Sequence, residues 1–285
     1  MIFLLVLSYL GYTSAATQYS DSFARNVMFP LSAAAYSERP QECLDRLFPN
    51  STLGRVVAVQ CDTFKADLCS GFVAVLHQQK AIVLSFRGTA GFKQLLQEIN
   101  KTVFLNLASW FFGGKISRYF SDAFANIWSA GMSEEFFSLR NQYPEYEIWV
   151  TGHSLGGSLA SLAASFMVGS HIAKPSEVKL MTFGQPRTGD TRFSSTHNSQ
   201  LEYSFRVTHW RDIVPHIPMG PLGGYFHHRQ EAFYKQDMNP DALTICEEAE
   251  APECSDGLWF TASIEEHTHY FGRHVSQYGQ SGCAP

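Results

Sequence analysis

Apolar residues recur along this chain with a period that changes from one region to the next. Near the start, Phe23, Val27, Leu31 and the pair Ala34-Ala35 return every three to four residues, which predicts a helix over 22–36. Three Val-rich runs of strand length follow, at 55–60, 71–76 and Ala81–Phe86, separated by turn or polar residues. Such short connections suit antiparallel hairpins at one sheet edge. The pattern then alternates: helical spacing at 134–143, a strand at 147–150, an Ala- and Leu-rich helix over 158–169, and strands at Val178–Phe183 and Tyr203–His209. Strands alternating with helices predict an α/β fold, a mostly parallel sheet with covering helices. No internal repeat or low-complexity linker divides the chain, so 17–285 reads as one domain.

The first residues do not fit that domain. Positions 2–7 read IFLLVL, the first charge is Asp21, and Thr13-Ser14-Ala15-Ala16 offers small residues for cleavage, so 1–16 reads as a signal peptide. The apolar run of roughly ten residues is too short for a transmembrane span, which needs about 20. No later stretch qualifies, so no transmembrane segment is expected. All six cysteines follow the cleavage point, which suits an oxidising compartment. By number alone they allow about 15 pairings. Short loops favour Cys61–Cys69 and Cys246–Cys254, leaving Cys43 for Cys283. Two sequons, at Asn50 and Asn100, could carry sugar on an exported chain.

Composition narrows the partners. The chain is 45% hydrophobic and 16% charged, with a net charge of −5. Its Lys and Arg are not clustered, so neither nucleic acid nor an anionic membrane surface is an expected partner.

The segment that carries chemistry is Ile148-Trp149-Val150-Thr151-Gly152-His153-Ser154-Leu155-Gly156-Gly157. A Gly-x-Ser-x-Gly pentapeptide alone is weak, since chance supplies it in roughly one chain of this size in ten. Here it sits between an apolar strand and an Ala-rich helix, the setting of a nucleophile elbow. A serine nucleophile needs a base, and the base needs an orienting acid. On such a fold the order is serine, acid, histidine. Asp212, just past the strand Tyr203–His209, is the candidate acid, with Asp190 its rival. The spacing does not choose among His227, His228, His267, His269 and His274.

The set Phe86-Arg87-Gly88-Thr89, Gly152-His153-Ser154-Leu155-Gly156-Gly157, Phe183-Gly184-Gln185-Pro186-Arg187 and Asp212-Ile213-Val214-Pro215 resembles the class 3, fungal-type lipases. The late Glu266-His267-Thr268-His269-Tyr270-Phe271-Gly272 is similar to that family's His-x-x-Tyr-Phe-Gly ending. The motifs run in the family's order from 86 to 272. The resemblance implies the α/β-hydrolase fold with a lid segment, and makes Ser154 the nucleophile, Asp212 the acid and His267 the base, with His269 the remaining rival. It implies an oxyanion hole from the Leu155 N–H, beside the nucleophile, and Thr89. Arg87 is expected to pair with a carboxylate, and His153 to pack behind the site.

Between Thr89 and Glu134 lies a run of large apolar side chains. Leu95, Ile99, Val103 and Leu107 recur every fourth residue, with Leu96 beside them, which predicts a helix with one apolar stripe. By spacing alone this is a core helix; the resemblance makes it the lid. The expected activity is hydrolysis of carboxylic esters of acylglycerols at a lipid–water interface, through an acyl-enzyme, with no cofactor or metal. Phospholipase A1 or other carboxylesterase action is the alternative within the enzyme class. A non-catalytic lipid-binding protein on a hydrolase scaffold is the alternative outside it.

Overall fold

The computed structural model describes residues 18–61, 68–88, 103–218, 224–259 and 261–285. The segment 1–16, read as a signal peptide, therefore lies outside them. In the first part, β1 (Ser51–Gln60), β2 (Leu68–Leu76) and β3 (Ala81–Phe86) are successive antiparallel neighbours. A hairpin of β4 (Leu107–Ser109) and β5 (Lys115–Ser117) follows. Next come β6 (Glu147–His153), β7 (Val178–Phe183), β8 (Gly189–Asp190), β9 (Tyr203–His209), β10 (Tyr225–Phe226), β11 (Glu231–Tyr234) and β12 (Leu243–Cys246). The main sheet has the order β1-β2-β3-β6-β7-β9-β11-β12, and from β3 to β11 every pairing is parallel. β4, β5, β8 and β10 form a second, smaller sheet. This is the α/β-hydrolase architecture.

The period-two pattern of the central strands explains how both sheet faces are covered. Val73, Val75, Ile82, Leu84, Ile148, Val150 and Leu180 point to one side, where they meet Leu159, Ala163 and Met167 of helix Leu155–Gly169 and Phe120 and Ile127 of helix Arg118–Ile127. Their alternates, Phe72, Ala74, Val83, Trp149, Met181, Phe183 and Phe205, point to the other side, against Phe29, Leu31 and Leu44. The N-terminal helical stretch there runs through Asp21–Phe23, Ala24–Met28 and Phe29–Ala34. Among the described residues, no helix is long and apolar enough to cross a membrane.

The apolar stripe ends differently from the sequence reading. Leu107 lies in β4 rather than on a helix, because Trp110–Gly114 closes a tight turn with Gly113 and Gly114 at positive φ, and β5 pairs back. Val103 is 1% exposed and packs in the core beside Phe104, Ile116 and Phe120, with its carbonyl bonded to the Ser117 hydroxyl. It is a core residue rather than part of an exposed lid face. Leu95, Leu96, Ile99 and Asn100 lie outside the described residues.

The disulfides are Cys43–Cys283, Cys61–Cys69 and Cys246–Cys254. The first joins helix Pro40–Leu47 to the C-terminal end over a sequence separation of 240 residues. Helix Val275–Gln280 packs beside it on the N-terminal helix, with Tyr278 stacked on Phe29. A cross-link closing so long a loop removes much of the freedom of the unfolded chain. Cys43→Ala with Cys283→Ala should therefore lower unfolding stability by about 2–5 kcal/mol in a urea titration; an unchanged midpoint would show that the packing of the C-terminal helix suffices alone.

Candidate active site

Because β3, β6, β7 and β9 run parallel, their carboxyl ends lie along one edge, where side chains from distant parts of the sequence can meet. Ser154 leaves β6 at φ 61° and ψ −132°, and Leu155 begins the helix at once. That backbone is strained for a residue with a Cβ and holds the side chain above the edge of the sheet. The flanking glycines make the turn possible: a Cβ on Gly152 would strike Gly156 O, and one on Gly156 would strike Phe86 O. The Ser154 side chain is 1% exposed, and its Oγ makes no hydrogen bond among the described residues.

The acid and the histidine come together. Asp212, past the end of β9, and His267, in the short helix Ile264–Thr268, are both buried, and each carboxylate oxygen is 3.0 Å from His267 Nδ1. The Val214 N–H donates to Oδ1 at 2.8 Å and the Tyr270 hydroxyl to Oδ2 at 2.8 Å. Burial alone would raise the Asp212 pKa. The charge of His267 and the hydrogen bonds from His267, Val214 and Tyr270 outweigh it and hold the carboxyl below its usual range. Burial and the neighbouring Asp212 charge push the Tyr270 phenol well up, so it remains a donor. Tyr270 lies three residues after His267; that spacing within the motif is the signal that could have assigned it a role.

His153 joins the elbow to His267. Its ring stacks on that of His267 at 4.5 Å. Nε2 lies 2.8 Å from His267 O and Nδ1 lies 2.8 Å from the Tyr36 hydroxyl. A carbonyl only accepts, so Nε2 carries the proton and Nδ1 accepts from Tyr36. Burial and the adjacent His267 push the His153 pKa down to about 3, in keeping with a neutral ring.

The other candidates have other partners. Asp190 caps helix Thr191–Gln200 by accepting from the Phe193 N–H. His227 Nε2 bonds Pro215 O, His228 bonds Arg229 O and stacks on His197, and His269 bonds Glu265 O. His274 caps the last helix. The Arg87 guanidinium donates to Leu68 O, and among the described residues no carboxylate pairs with it. Thr89 lies outside the described residues. Gly88 before it runs against Ser154, since a Cβ there would lie 2.9 Å from Ser154 Cβ.

Residues 83–221 match the lipase (class 3) family model. A lipase of the nematode Caenorhabditis elegans is 34% identical over 302 residues, covering 94% of this chain and 84% of that protein. The chain belongs to the class 3 lipase family. It is a lipase-type serine ester hydrolase of the α/β-hydrolase superfamily. The lipase of Rhizomucor miehei is 30% identical over 210 residues, or 71% of this chain, which spans about half (55%) of that protein's length. Among solved structures, a triacylglycerol lipase with a serine protease triad as its catalytic centre is 25% identical, with a TM-score of 0.74 over 87% of this chain and 93% of that one.

Four buried histidines make the lipase fold sensitive to acid. Burial pushes His153 and His197 down to about 3, and His227 and His228 well below the usual imidazole value. Below about pH 6.5 the unfolded chain binds protons at these positions and the native chain does not, so stability falls as pH drops from there toward about 3. Each group contributes a slope of at most about 1.4 kcal/mol per pH unit. Urea midpoints should therefore drop steeply between pH 7 and pH 5, and His197→Asn or His228→Asn should flatten that fall. A flat profile across this range would mean that these rings titrate normally.

Proposed function

We propose that this chain hydrolyses carboxylic esters of acylglycerols through an acyl-enzyme, with Ser154 as nucleophile, His267 as base and Asp212 as its orienting acid. The observation that carries this reading is the two-oxygen contact of Asp212 with His267 Nδ1, beside a serine on a strained elbow. With Nδ1–H held by the carboxylate, Nε2 is the ring position left to take the Ser154 proton as Oγ attacks the ester carbonyl. The imidazolium formed is stabilised by Asp212 and returns its proton to the leaving alcohol. Water, deprotonated by His267, then attacks the acyl-enzyme, and the carboxylic acid departs as Ser154 is restored.

The tetrahedral oxyanion requires donors already in place. Leu155, first residue of helix Leu155–Gly169, supplies one N–H beside the nucleophile, with the positive end of the helix dipole behind it. Thr89 is assigned as the second donor from its motif, and the approach of Gly88 to Ser154 supports this. Leu95, Leu96 and Ile99 are assigned to a lid whose apolar face a lipid–water interface would cover.

The reading includes export. The sequence of 1–16 supports it, as do three disulfides and the exposed Asn50 of the first sequon. The test of the activity is fatty-acid release from an emulsified long-chain triacylglycerol, beside the Ser154→Ala variant. Release by the wild type alone supports the reading; cleavage of only a phospholipid or a soluble ester would keep the triad and replace the substrate.

A further inference from the structure

Two other histidines grip the main chain that carries His267. One is His153, through His267 O. The other is His209, the last residue of β9, whose ring is largely buried. Its Nδ1 lies 3.0 Å from Glu266 O and 2.6 Å from His269 O, and its Nε2 lies 2.6 Å from Gln236 O. Carbonyl oxygens only accept, so a ring nitrogen bonds them only where it carries hydrogen, and a neutral ring has a single N–H; placed on Nδ1, it is shared between Glu266 O and His269 O. The Nδ1 bond thus spans His267, reaching one residue before it and two after it. The Tyr270 ring packs edge-on against His209 at 5.6 Å. The His209 carbonyl also accepts from the Asp212 N–H at 2.9 Å. One residue at a strand end therefore ties both the acid loop and the base segment to the sheet.

We propose that His209 is a positioning residue for the acid–base pair: through the main chain it sets where the His267 ring stands relative to Asp212 and Ser154. The need for such an anchor is physical. Helix Ile264–Thr268 is little more than one turn, and so short a helix does not hold itself. A displacement of about 1 Å in a reacting group can cost on the order of 10²-fold in rate. His209 makes no contact with the nucleophile, so its loss acts on turnover and leaves ester binding alone.

The inference rests on His267 being the base, and the test keeps the two apart. His209→Asn places an amide N–H near the position of Nδ1, retaining the grip on Glu266 and His269 while losing Gln236. His209→Gln reaches toward Gln236 and gives up that grip. On a soluble p-nitrophenyl ester, the Gln variant should lose about tenfold or more in kcat with KM nearly unchanged, and the Asn variant should recover most of that loss. Equal losses in both, no loss in either, or an effect confined to KM would overturn the proposal. If either variant fails to fold, His209→Ala with added imidazole takes its place: recovery of kcat supports the proposal, and a folded variant without recovery overturns it. His267→Ala is measured alongside. Full activity there would remove the base assignment itself, whereas its loss together with indifferent Asn and Gln variants would remove only the role of His209.

Discussion

Ser154→Ala and His267→Ala should each lower kcat on the order of 10⁶-fold, and the double variant should lose little more. The reason is that Oγ and the ring act in one step: without the base the hydroxyl stays a poor nucleophile, and without the hydroxyl the base has no proton to take. What survives in every variant is the stabilisation offered by the Leu155 N–H and by substrate binding. Both side chains are almost wholly buried and neither replacement adds volume, so the fold should tolerate them. Turnover of one soluble ester by the three variants, with thermal melts as a check on folding, measures the effect. Losses that simply add would mean that the two residues act independently, and the triad would have to be abandoned.

Asp212→Asn should lower kcat about 10⁴-fold while preserving the geometry. The carboxylate accepts from His267 Nδ1, from the Val214 N–H and from the Tyr270 hydroxyl, so three donors converge on it. An amide can meet them only by turning its oxygen to some and its NH₂ to others. An NH₂ facing Nδ1 moves the ring proton to Nε2, where it can no longer accept from Ser154. The charge is lost as well, and with it the stabilisation of the imidazolium. Because its partners hold Asp212 below the usual carboxylate range, it is ionised at neutral pH. Its stabilising contribution is complete above the unfolded value of about 3.9 and is lost as pH falls through the lower folded value. Asp190→Asn is the matched control: a helix cap away from His267, it should cost at most about 1 kcal/mol of stability and leave kcat alone. A similar loss of turnover from both replacements would leave the identity of the acid open.

Much of this arrangement is legible in local pattern. Ala81–Phe86, Val178–Phe183 and Tyr203–His209 have the same bounds as strands in the sequence reading and in the structure. Each is a run long enough to bury a side chain on both faces. β11 escaped notice because four residues, Glu231–Tyr234, are too few to show a period, and its place depends on pairing with β9 and β12. Helix Arg118–Ile127 was missed for a different reason. Phe120, Ala123, Phe124 and Ile127 have plain helical spacing, but the sequence reading of this region rested on the stripe from Leu95 to Leu107 alone. At the end of that stripe Leu107 enters a hairpin that turns at Gly113-Gly114, and Val103 goes to the core.

The sequence by itself determined the elbow, because Gly152, Ser154 and Gly156 lie within five residues between a strand and a helix, and a Cβ on Gly152 would strike Gly156 itself; the demand for glycine at 156 comes from Phe86 on the neighbouring strand. It also determined the alternation that buries both faces of the sheet. Tertiary structure decided which of the five late histidines meets Asp212: His267, 55 residues away. It decided the grip of His153 and His209 on the base segment and the capping role of Asp190 as well. These depend on which strand ends lie side by side, and hydrogen-bond partners chosen across a sheet leave no period in the chain.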